Sequence, residues 1–181
     1  MPKYITLILL SFTIIFCISC NFYNEDRRSL RKEIKSITGT EVKIPDNIIG
    51  LNFNNPEQKQ SYYDATNKIF FYIDSISCNE CVMKTLYEWE SFLNNSTYDW
   101  KLFIIISSGD YILIDKMFKD YYIDIPFFWD SNNSFESHNQ FIKKSLFQTF
   151  LTIDDKVVVI GNPIVSTKVR KQYEKHVRNY K

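Results

Sequence analysis

The chain has 181 residues, 45% of them hydrophobic and 17% aromatic, with 22 basic against 21 acidic side chains. That length and apolar content fit one compact domain with a well-buried core, and the absence of any basic run or stripe excludes a nucleic-acid-binding footprint. Four glycines, five prolines and no internal repeat exclude a low-complexity or repeat architecture.

Met1-Pro2-Lys3 gives a short positive start, and Tyr4 to Ile18 is apolar with little interruption beyond Ser11 and Thr13. This is the plan of a secretory signal, with an apolar core short for a stable membrane span. The segment closes in Phe16-Cys17-Ile18-Ser19-Cys20, a small residue directly before a cysteine. That ending resembles a bacterial lipoprotein signal, which is cut before the cysteine that becomes acylated. Cys17 stands where such signals usually carry an aliphatic residue. An uncleaved anchor, or a plain signal cut elsewhere, is the alternative. The lipoprotein reading makes residues 1–19 the signal and residues 20–24 the lipid anchor, on Cys20, and its tether.

Beyond the tether, Asn24-Glu25-Asp26 has the cap residue and early acids of a helix start. Leu30, Ile34 and Ile37 continue it as one stripe to Gly39. Thr40 to Ile44 alternates like a strand and stops at Pro45. Leu51 to Phe53 reads as a short strand and Asn54 to Lys68 as a polar loop. An α/β pattern then begins: strand 69–75, helix 79–94, strand 102–107, helix 111–121 and a short strand 125–129. A loop and helix run through Phe141. Strands 147–153 and 157–160 form a hairpin across Asp154-Asp155-Lys156, read as a solvated tip. A final helix over 167–180 aligns Val169, Tyr173 and Val177 on one face and turns Lys168, Arg170, Lys171 and Lys175 to solvent. Trp89, Trp100 and Trp129 read as core.

Cys78-Asn79-Glu80-Cys81 sits where the first of these α/β strands turns into its helix. Residues three apart lie one helical turn apart, so the two thiols can meet, and a helix N-terminus stabilises a thiolate on Cys78. With Cys17 removed and Cys20 lipidated, these are the only thiols left. A bridge across so short a loop stabilises a fold little, so reactivity explains the pair better than stability does. Zinc would need two further ligands, and His138 and His176 lie on separate elements without ligand spacing, reading instead as surface or half-buried side chains.

Strand, dithiol helix, strand, helix, hairpin, helix resembles the thioredoxin order. The chain is similar to the TlpA/ResA-like thioredoxin-fold lipoproteins of Bacteroidetes envelopes. Three segments carry the resemblance: Phe70 to Cys81, Ile125-Pro126-Phe127-Phe128-Trp129-Asp130, and Gln148-Thr149-Phe150-Leu151-Thr152-Ile153-Asp154-Asp155-Lys156-Val157-Val158-Val159. It implies an α/β thioredoxin-like fold over residues 66–181, a central mixed sheet flanked by helices, with residues 25–65 as an N-terminal extension. It also implies a thiol-disulfide oxidoreductase with Cys78 attacking and Cys81 resolving, needing no small cofactor. The implied partners are protein thiols or disulfides and an upstream redox partner. Lipid on Cys20 would hold the protein on a membrane of the bacterial envelope, facing the periplasm.

The chain departs from that pattern at three places. Gln148 stands where the family has a substrate-holding cis-proline, and a trans bond is expected there because cis costs about 3 kcal/mol before a non-proline residue. Ser77 replaces a tryptophan before the first cysteine. Tyr72 occupies the place of a buried acid. Ser77 and Gln148 are therefore the candidate substrate-binding residues. Glu80, a carboxylate beside the pair, disfavours a second negative charge and points to a milder, more reducing couple. The alternative is a non-catalytic, partner-binding lipoprotein in which Cys78–Cys81 is a passive disulfide.

Overall fold

The computed structural model describes residues 26–74 and 79–180, with side chains for all of these except 79–82. Residues 26–37 form helix α1, in a compact unit of its own. The second unit, from Thr38 on, is built on one six-stranded sheet. Its elements are β1 (Ile49–Leu51), α2 (Pro56–Tyr63), β2 (Asn67–Ile73), α3 (Asn79–Asn94), β3 (Lys101–Ser107), α4 (Tyr111–Asp120) and β4 (Phe127–Asp130). They continue with α5 (Ser134–His138), two 3-10 turns (Gln140–Lys143 and Ser145–Phe147), β5 (Thr149–Ile153), β6 (Lys156–Ile160) and α6 (Thr167–Asn179).

The strand order is β1-β4-β3-β2-β5-β6. β2, β3 and β4 run parallel; β1 lies antiparallel to β4, and β5 antiparallel to both β2 and β6. β2 and β3 are apolar on both faces, as strands covered on both sides must be. One face carries Ile69, Ile73, Leu102, Ile104, Ile106 and Leu151, packed with Leu86 and Trp89 of α3, Ile114 and Phe118 of α4, and Tyr173 and Val177 of α6.

The other face is held by a row of phenyl rings. Phe150, Phe70, Phe103 and Phe128, from β5, β2, β3 and β4, stack with successive centroid distances of 5.0, 5.0 and 4.8 Å. That is close to the strand spacing itself, so cross-strand pairing sets the stack. Phe135 of α5 and Tyr62 and Tyr63 of α2 close over the row.

α2 lies where a loop was expected. It buries no residue and has no apolar stripe, which left its periodicity silent. Its start was nevertheless written in Asn55-Pro56: the Asn55 side chain accepts from Gln58 N at 2.7 Å, and Pro56 opens the helix.

The strand expected over 40–44 shrinks to one bridge, Glu41 to Lys156. Gly39 and Val42 donate to Val157 and Asp155 at 2.7 and 2.8 Å along the free edge of β6. The ladder stops because the buried Asn139 side chain takes both backbone groups of Lys43, at 3.0 and 2.8 Å. The short strand expected at 51–53 comes earlier, as β1, which ends at Leu51 because Asn52 turns to φ +59°.

The hairpin tip is the two-residue turn Asp154-Asp155, at φ +49° and +61°, with Lys156 already paired to Ile153. Asp155 does more than face solvent. Its carboxylate lies 2.6 Å from the ammonium of Lys68, a residue only 3% exposed. Removing one partner of such a pair leaves a charge buried without compensation. Asp155→Ala is expected to lose about 2–3 kcal/mol, read as a lower urea midpoint at unchanged slope. Lys68→Met in the Asp155→Ala background should recover much of the loss.

Candidate functional site

β2 lies between β3 and β5 and ends at Ile73, which pairs with Ile106. Because β2, β3 and β4 are parallel, their C-terminal ends share one edge of the sheet, the edge at which ligands bind in parallel α/β sheets. The chain returns from that edge through α3, which opens at Asn79, so Cys81 falls in the first helical turn. The helix starts where the apolar spacing places it, with Met83, Leu86 and Trp89 buried against the sheet. Ser77, Cys78 and Cys20 lie outside the described residues.

Gln148 reaches this edge from the opposite direction. It closes the 3-10 turn Ser145–Phe147 with φ −74° and ψ −9°, and β5 follows it. No peptide bond among the described residues is cis, so the bond into Gln148 is trans. Its carbonyl accepts from Tyr72 N at 2.8 Å and its N–H donates to Ser145 O at 3.3 Å. Its side-chain amide donates to the Asp74 carboxylate at 3.0 Å. Gln148 is thus tied at two points, to Tyr72 near the end of β2 and to Asp74 just beyond it, the latter only four positions before Cys78. Asp74 was not legible as its partner, because the two are 74 residues apart in sequence.

Tyr72 is buried on the opposite face from α3, beside Phe135. Its hydroxyl donates to the Glu136 carboxylate at 3.4 Å. Burial pushes its pKa up to about 12, helped by the charges of Glu136, Asp130 and Asp74 and opposed by a hydrogen bond with Ser107. Tyr72 therefore stays a neutral donor at physiological pH. Asp130, wholly buried, is accounted for by structure. Its carboxylate accepts from Ser134 N at 2.9 Å, Ser134 Oγ at 2.7 Å and Phe135 N at 2.8 Å, holding the start of α5.

Other candidate chemistry is dispersed. Among the described residues no group of three or more histidine, cysteine or carboxylate side chains could hold a metal ion. His138 and His176 are both exposed. Trp89 and Trp100 are core residues, whereas Trp129 is half-buried, its indole N–H bonded to Ser108 O at 2.7 Å. Arg170 is not on the wet face of α6: its guanidinium lies 5.2 Å from the Phe92 ring and donates to Pro163 O at 3.1 Å. It lines a groove of about 360 Å³ with Phe92, Tyr98 and Trp100 at the C-terminal end of α3, far from Cys81. Among the described residues no helix is long and apolar enough to cross a membrane.

The layers and strand order define a thioredoxin-like α/β fold. A thioredoxin-like protein solved in its oxidised form superposes with a TM-score of 0.52 at 12% identity, covering 76% of this chain and 96% of that one. The C-terminal domain of a protein designated a thiol-disulfide oxidoreductase, from Bacteroides thetaiotaomicron, gives a TM-score of 0.48 at 16% identity, covering 76% and 97% of the two chains. No protein-family model matches the sequence, and no curated protein matches it.

Proposed function

We propose that the protein is a thiol-disulfide oxidoreductase acting on protein substrates, tethered to a membrane of the bacterial envelope through lipid on Cys20 and facing the periplasm. The observation that carries this reading is the position of the Cys78-Asn79-Glu80-Cys81 sequence: β2, an interior strand of a thioredoxin-like sheet, ends shortly before it, and its second cysteine falls in the first turn of the helix that follows. A dithiol there faces the edge of the sheet where partners can approach, and the helix N-terminus favours thiolate.

In the reducing direction, the Cys78 thiolate attacks one sulfur of a substrate disulfide. A mixed disulfide forms, and the other substrate sulfur leaves as a thiolate that takes a proton. Cys81, once deprotonated, attacks the Cys78 sulfur and releases the second substrate thiol, leaving Cys78 and Cys81 joined. Two electrons have then passed to substrate, and an upstream dithiol must return them. Glu80 beside the pair disfavours accumulated negative charge and supports this reducing direction. Ser77 and Gln148 belong to the proposed substrate-contacting surface, Gln148 through the Asp74 contact that ties it to the strand leading into the dithiol.

The passive-disulfide reading draws on Gln148 itself, whose trans backbone is already bonded on both sides. The two readings part in a trapping experiment. Cys81→Ala should accumulate covalent partners on non-reducing gels and Cys78→Ala should accumulate none; no adduct with either variant favours the passive disulfide. Gln148→Pro is not a silent companion, since it removes the N–H bonded to Ser145 O and disfavours the 3-10 conformation of Phe147. For the anchor, Cys20→Ala should abolish incorporation of labelled fatty acid and shift the protein out of the membrane fraction. Labelling and membrane retention that persist in this variant contradict lipidation at Cys20.

A further inference from the structure

α1 is set apart from the rest of the chain by its charge. Residues 26–37 hold five basic side chains, Arg27, Arg28, Arg31, Lys32 and Lys35, against two acidic ones, Asp26 and Glu33. Residues 38–181 carry 16 basic against 18 acidic side chains. The five cations of α1 form no unbroken run, and linear order conceals them. Wound on a helix at about 100° per residue, they fall within an arc of about 140° over about 12 Å of axis, and both acids lie outside it. The chain thus carries a basic stripe after all. All five cations are exposed, and among the described residues Arg28, Arg31, Lys32 and Lys35 join no ion pair.

Helix formation does not explain the stripe. Arg27 with Arg31, Arg28 with Lys32, and Arg31 with Lys35 are like charges four residues apart, a spacing that destabilises a free helix. An anionic surface would reverse that effect. The apolar side of α1 lies elsewhere on the helix, with Leu30 and Ile34 half-buried and Ile37 buried. Because that side is largely covered, what α1 offers a partner is positive charge, without apolar insertion.

We propose that the basic stripe of α1 lies against the anionic headgroups of the membrane that holds the chain, as a second, electrostatic attachment beside the lipid. The proposal rests on the reading of Cys20 as the lipid site. Six positions separate Cys20 from Asp26, and an extended chain spans at most about 3.6 Å per residue. α1 therefore starts within about 22 Å of the acylated residue, whatever path the link takes. At that range a weak contact suffices, because the tether makes it intramolecular. Cations near an anionic surface are attracted within a screening length of about 8–10 Å, so the contact is sensitive to salt. α6 is the other basic helix, with Lys168, Lys171, Lys175 and Arg178 exposed. No short link ties it to Cys20, and Arg178 already donates to Tyr98 Oη at 3.3 Å.

The test uses the full chain purified from membranes with its N-terminal lipid, placed in vesicles of pure phosphatidylcholine or in vesicles rich in phosphatidylglycerol. Amide hydrogen exchange of peptides covering residues 27–37 is read by mass spectrometry. Phosphatidylglycerol should slow exchange in α1 about tenfold or more at low salt, as several cations near an anionic surface imply. Salt at about 0.5 M should abolish the difference. The variant Arg28→Gln, Arg31→Gln, Lys32→Gln, Lys35→Gln should lose the slowing, glutamine being a good helix former. Lys168→Gln, Lys171→Gln, Lys175→Gln on α6 should keep it. Lipid on Cys20 by mass, with equal wild-type exchange in both vesicles, overturns the headgroup proposal alone and needs no variant. Slowing that survives the α1 variant overturns it too. So does slowing by soluble RNA or polyglutamate that phosphatidylglycerol does not produce, which assigns the stripe to a polyanion. No lipid on Cys20 overturns the anchor reading and this proposal with it.

Discussion

β2 is hydrogen-bonded on both sides and buried on both faces, and the rest of the site follows from that confinement. Its parallel pairing with β3 puts their C-terminal ends at one edge, and α3 must therefore start there. Its antiparallel pairing with β5 brings the residue before β5, Gln148, back to the same edge. The phenyl row through Phe70 fixes the register, because sliding any strand by one residue would turn its ring to the other face. The start of α3 at Asn79 is thus brought to one defined edge by packing some distance away.

The opposite ends of the sheet solve a different problem. β6 would present an open edge, and residues 39–42 cover it until Asn139 caps the pairing at Lys43. At the hairpin tip, Lys68 is buried and must be compensated, and Asp155 in its left-handed turn supplies the charge. These contacts belong to stability.

Helices with a strong apolar stripe were legible from the sequence. α3 occupies the range 79–94 that its spacing gave, and α4 and α6 end within a residue or so of expectation, because burial on one face wrote a clear period. α2 was not, because two tyrosines near its end anchor it to the phenyl row while the remainder faces solvent. The roles of Asp155 and Arg170 were hidden for another reason. A charge at a turn or on a basic helix looks solvated in sequence, and only the fold brings Lys68 to one and Phe92 to the other. The place of Gln148 beside the strand that leads to Cys78 came from the hairpin motif. Its bond to Asp74 depends on a long-range pairing that no local pattern encodes.

Exchange at Cys78 and Cys81, as against a fixed staple, is tested most directly by the reduction potential of the pair, measured by equilibration with glutathione and dithiothreitol buffers and read by thiol alkylation and mass. An exchanging pair gives one two-electron transition at a potential typical of exchange proteins, about −270 to −180 mV. A potential below roughly −300 mV, the range of structural disulfides, would contradict it.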